Sequence, residues 1–187
     1  MKYTIEYDAS VWFPVPATFP ADQWADEAAW LSELVSAFEA DLGSLTADAQ
    51  AAVREFGLGA RDARVPGTSE ILLFCPRTIP VLGVASIYVG SSDDGEALDL
   101  DHEASADNRA QLPPSVMEFH TDHLGTGRRA AVVIGAHDPT SAAGRYNYAF
   151  EADGGVVTVS GTADGLQEAA MMEPFLDDLV RGIRLES

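Results

Sequence analysis

At 187 residues and 47% apolar composition, the chain has the length of one domain and enough hydrophobic material to close a core without staples. Thirty Asp and Glu against eleven Lys and Arg leave a net charge of −19, which excludes a surface that grips nucleic acid or an anionic membrane by displacing counterions. A lone cysteine, Cys75, excludes an intrachain disulfide.

The acids are unevenly spread. Residues 1–60 carry ten acidic and two basic side chains, residues 91–110 seven and one, and residues 151–187 eight and two. The stretches 61–90 and 111–150 are near neutral. One Lys among ten Arg is the usage expected of a GC-rich bacterial genome rather than a functional signal. The start, MKYTIEYDAS, has no apolar signal core or lipid-attachment Cys, and no stretch approaches 18 apolar residues, so a cytoplasmic protein is expected.

Tyr3, Ile5 and Tyr7 alternate with polar residues, which predicts a half-buried strand. The run 11–20 (VWFPVPATFP) holds three prolines and predicts an extended lead-in packed through Trp12, Phe13 and Phe19. Leu31, Leu34, Val35, Phe38 and Leu42 follow helical spacing, with Asp22 as the expected cap and Gly43 as the stop. A shorter helix is predicted from Thr46 to Gly57.

From Ser69 the period changes from helix to strand. Residues 69–76 and 81–90 read as a hairpin joined through 77–80, with Cys75 expected as a buried, inert thiol. Residues 91–110 read as a solvated acidic loop. Residues 115–121 and 128–137 read as the next pair, turning at Gly125-Thr126-Gly127. Tyr146 to Phe150, Asp153-Gly154-Gly155 and Val156 to Val159 form the clearest hairpin signal, since the glycines supply positive φ. A closing helix carries Phe175, Leu176, Leu179, Val180 and Ile183 on one face, with Pro174 expected in its first turn. The order predicts a single α+β domain over residues 1–187, with a single antiparallel β-sheet flanked by helices.

Four constellations bear on chemistry. On a strand, His120 and Asp122 share a face, and His123 joins them only if the strand ends there. Two histidines supply half a zinc shell at most, and HExxH is absent because Thr121 follows His120. Metal binding through His120, Asp122, His123 and His102, as a metal-binding protein or metal-dependent hydrolase, is therefore the alternative reading. Asp93, Asp94, Glu96, Asp99, Asp101, Glu103 and Asp107 crowd one segment but lack the Gly and Glu spacing of a calcium loop. They read as an acidic face for a partner. Gly125-x-Gly127 before Arg128-Arg129 suggests an anion nest, but it precedes a strand and reads better as a turn. Trp12, Trp24 and Trp30 offer a third reading, an aromatic-lined pocket for a small molecule.

The last third, with its glycine-marked strand (LGTGRRAAVVIG), hairpin (YNYAFEADGGVVTVSGTA) and amphipathic helix (MEPFLDDLVRGIRL), resembles the C-terminal half of the Mog/PsbP-like fold. It is similar there to actinobacterial LpqN-type proteins. The resemblance implies an antiparallel sheet flanked by helices, a closing strand after the last helix, and a non-enzymatic module that binds protein partners. Two early helices and the long acidic segment depart from that pattern, so no site residues carry over. The expectation is thus a binding or accessory module with no cofactor, recognising a protein partner through acidic residues.

Overall fold

The computed structural model describes residues 1–76, 79, 81–91, 98–135 and 142–186, apart from the side chain of Asp41. In chain order its elements are β1 (Lys2–Ile5), β2 (Trp12–Pro14), α1 (Glu27–Leu42), α2 (Ala47–Asp62), β3 (Glu70–Phe74), β4 (Gly83–Ser91) and α3 (Leu100–Ser105). There follow β5 (Ser115–Thr121), β6 (Gly125–Gly135), β7 (Ala142–Ala152), β8 (Gly155–Ala163), α4 (Leu166–Arg181) and β9 (Ile183–Glu186). Seven strands form one antiparallel sheet in the order β2-β3-β4-β8-β7-β6-β5. The class is α+β with antiparallel sheets flanked by helices. The strands do not all join one sheet, because β1 and β9 pair separately, Lys2 opposite Glu186 and Ile5 opposite Ile183.

Residues two apart share a face of a strand, so the register sorts the whole sheet. One face presents Leu72 and Phe74 of β3, Ala85 and Ile87 of β4, Val157 and Val159 of β8, and Tyr148 and Phe150 of β7. These pack with Met172, Leu176, Leu179 and Val180 of α4 in the larger core. Gly161 lies beneath Leu176, where a Cβ would strike the leucine, so the glycine lets α4 approach the sheet. The other face carries two separate apolar clusters. Ile71, Leu73 and Val15 pack under Trp30, Leu34 and Val53 of the α1–α2 layer. Ala130, Val132, Ile134 and Ala149 pack under Ala104 of α3.

Several local expectations move. Asp26, not Asp22, caps α1 by accepting from the Ala29 N–H at 2.8 Å, while Asp22 sits at φ 44 outside the helix. Thr46 caps α2 as its sequence suggests, yet the helix runs through Gly57 to Asp62. Tertiary packing overrides the glycine's low propensity, because a Cβ on Gly57 would come within 2.8 Å of Leu34 and separate α1 from α2. Pro174 lies inside α4, which begins at Leu166, so the helix starts two turns earlier than the proline implies. The turn between β5 and β6 falls at 122–124, and β6 already begins at Gly125, whose φ of 73 suits a residue without a side chain. Pro14 ends β2, an edge strand, where the missing N–H costs no ladder bond. Cys75 is only partly buried. The 77–80 connection lies outside the described residues except for Ile79, as does the end of the predicted 128–137 strand.

Candidate functional site

The α1–α2 layer covers β2 and β3, and α3 covers β6 and β7. Among the described residues, the face of the central strands β4 and β8 between them stays open. Its side chains are fixed by the same alternation that buries Ala85, Ile87, Val157 and Val159 behind. Ser86 and Tyr88 on β4, Thr158 and Ser160 on β8, and Asn147 on β7 point forward. They floor a groove of about 810 Å³, walled by Val65, Pro66 and Thr68 ahead of β3 and by Glu103, Asn108 and Arg109 opposite. A strand face covered by a helix ordinarily carries apolar side chains, so this polar floor sets β4 and β8 apart from the covered faces on either side.

Hydrogen bonds organise one side of the groove. The Ser160 hydroxyl donates to Asn147 Oδ1 at 2.8 Å, and Asn147 Nδ2 donates to the Ala104 carbonyl of α3 at 3.1 Å. Arg145 Nε donates to Thr162 Oγ1 at 2.9 Å and its terminal nitrogen to Asp107 Oδ2 at 2.6 Å. The Asp107 side chain is 3% exposed and also accepts from the Arg109 N–H at 2.8 Å. This buried pair fixes the segment after α3 against β7. Tyr88, 43% exposed, lies over Gly67 and Gly90 and gives the opposite wall an aromatic surface.

A second polar cluster sits on the α4 side. Arg129 pairs with Glu173 at 2.7 Å and Asp177 at 3.0 Å. Tyr148 donates to Asp177 at 2.6 Å and Tyr146 to Glu173 at 2.8 Å. Burial, then the hydrogen bond to its carboxylate, pushes the Tyr146 phenol up to about 12 and the Tyr148 phenol higher still. Burial opposes the Arg129 charge, but Asp177 and Glu173 outweigh it and hold its pKa above the ordinary arginine value. The cluster ties β6 and β7 to α4.

The acids singled out from the sequence have different fates. Asp93, Asp94 and Glu96 lie outside the described residues. Asp99 caps α3 by accepting from the His102 N–H at 3.1 Å, and Asp101 pairs with Arg128 at 2.5 Å. Glu103 stands on the groove wall, and Asp107 is sequestered by Arg145. Residues 98–110 are therefore not one solvated loop, because apolar Ala104 draws α3 onto the sheet. His120 lies exposed on edge strand β5 with Nδ1 3.2 Å from Thr126 Oγ1, Asp122 and His123 sit in the exposed turn beyond it, and His102 is on α3. Among the described residues no three His, Cys, Asp or Glu side chains are arranged to hold a metal ion. Arg128 and Arg129 do not form a nest, since alternation sends Arg128 to Asp101 on one face and Arg129 to Asp177 on the other.

The tryptophans share no pocket. Trp12 packs in the α4-side core, whereas Trp24 and Trp30 fill the core under α1 and α2. Their buried indole N–H groups are satisfied by Glu33 at 2.7 Å and the Pro14 carbonyl at 3.0 Å. The groove went unseen in the sequence, although the signal was there. Val156 to Thr162 places Thr158, Ser160 and Thr162 on alternate positions between buried residues, and Val84 to Tyr88 places Ser86 and Tyr88 likewise around buried Ile87.

No protein-family model matches the chain, and no curated protein matches it. Among solved structures it is similar to the Ran-binding protein Mog1p of Saccharomyces cerevisiae, at 14% identity and a TM-score of 0.38, over 65% of this chain and 81% of that one. Among the described residues no helix is long and apolar enough to cross a membrane.

Proposed function

We propose that this chain is a non-enzymatic binding module for a protein partner, with the groove over β4, β8 and β7 as its contact surface. The observation that supports this is the polar floor of Ser86, Thr158, Ser160 and Asn147, left open among the described residues between the 65–68 segment and the α3 side in the middle of the sheet. The buried carboxylate of the lining, Asp107, is locked to Arg145. A groove of this kind offers hydrogen bonds and an aromatic wall to an extended segment rather than a nucleophile to a substrate. The net charge of −19 supplies long-range steering toward a basic partner, and Glu103 brings an acid to the groove itself. Of the acidic segment 91–107, Glu103 and the exposed Asp101 are the described side chains suited to that contact.

The test fills the groove. Thr158→Trp adds a bulky side chain on an open face that tolerates aromatic residues. Wild type and variant are compared in affinity capture from lysate at low salt, with melting temperatures measured in parallel. A partner held by the wild type, released as salt rises and lost by an equally stable variant is the expected result. Equal retention by both proteins, or retention indifferent to salt, overturns the reading.

A further inference from the structure

A second concavity, about 400 Å³, lies between α4 and the segment that follows β1, on the side of the sheet away from the groove. Its base is apolar. Val11, Trp12 and Leu179 are buried there, and Phe175 is half-buried beside them. Its rim is acidic, with Glu6 and Asp8 from the segment after β1 and Asp178 one turn along α4 from Phe175. An apolar floor with carboxylates at its edge matches one kind of side chain, a long aliphatic stem ending in a cation.

We propose that this hollow is a socket for a lysine or arginine side chain presented by a basic polypeptide. The stem covers Trp12 and Phe175 while the head reaches the rim carboxylates, the arrangement in which amphipathic cations bury their methylenes and keep their charge wet. Tyr7, on the same rim, has its phenol pushed up by burial and then by the Glu70 and Asp22 carboxylates. Two arginines adjoin the rim, Arg184 at 2.7 Å from Glu6 and Arg181 at 2.9 Å from Asp178. Glu6 and Asp178 are 70% and 78% exposed in these pairs, and exposed ion pairs contribute little, so an incoming cation can share their carboxylates. Arg181 is also held 5.1 Å over the Phe119 ring, toward β5. The socket stands on its own geometry and does not rest on the groove.

The test is a heteronuclear NMR titration with tri-lysine, with tri-serine and tri-glutamate as controls. Tri-lysine is expected to shift the Trp12 indole, Val11 and Leu179 signals saturably, and the controls to leave them in place. The double variant Asp8→Asn, Asp178→Asn weakens tri-lysine by about fivefold with a preserved spectrum, since two exposed charges are lost. The remote pair Asp48→Asn, Glu55→Asn on α2 leaves its affinity unchanged. Shifts spread evenly over the acidic surface, equal weakening by the remote pair, or no saturable shift at Trp12 overturns the socket, whatever becomes of the groove variant.

Discussion

Tyr148 shows what one buried hydroxyl decides. Its ring packs in the core at 1% exposure while its O–H donates to Asp177, which also receives Arg129. The phenol is pushed up by burial first and then by that carboxylate, so the native protein holds this proton well above the ordinary value of 10.0. Unfolded tyrosine releases its proton near pH 10, so above that pH the unfolded state binds fewer protons and stability falls as pH rises. Tyr3 and Tyr146, both raised to about 12, add to the same decline. The tyrosines are therefore expected to make stability against urea fall from about pH 10 and to keep falling through about pH 12. Tyr148→Phe costs about 1 kcal/mol at neutral pH through the lost hydrogen bond and makes the alkaline drop shallower. An unchanged alkaline slope in that variant would show that other groups control it.

At the scale of elements, α4 organises the larger core by lying close to the sheet. The approach depends on positions without side chains, Gly161 under Leu176 and Gly144 under Ala169. Gly161→Val must push Leu176 off its site and lift the middle of the helix. Overpacking of this kind costs roughly 1–3 kcal/mol, and the added β-branch favours the strand too weakly to offset it. Denaturant melts should show the loss in midpoint with little change in slope. The helix also carries Glu173 and Asp177, so lifting it stretches the pairs to Arg129. On the other face, α3 is short and draws little support from propensity. It is held by Ala104 in a small apolar cluster, by the Asp101–Arg128 pair and by the Asn147 bond to the Ala104 carbonyl. Those contacts turn part of an acidic stretch into one wall of the groove.

For the whole molecule, a net charge of −19 means self-repulsion that surface ion pairs offset only locally. Raising sodium chloride from about 0.02 M to about 0.5 M shortens the Debye length from roughly 20 Å to about 4 Å, screens this repulsion and should raise the melting temperature by a few degrees. A fall would show that the ion pairs outweigh the repulsion. The sequence by itself determined the α+β class, the buried apolar faces of the helices and the clear β7–β8 hairpin, because each rests on a period of two or 3.6 residues within one segment. It also determined the overall acidity, which is additive. Only the tertiary structure decided that β8 inserts beside β4, that β9 closes back onto β1, and that α1 and α2 pack through Gly57. It alone separated acids that cap helices or neutralise arginines from those on open surface, since Asp99, Asp101, Glu103 and Asp107 look alike until their partners arrive from other elements. The groove has the same origin. Its floor alternates visibly in two strands, but whether a helix covers that face depends on contacts between segments far apart in the chain, which no local period encodes.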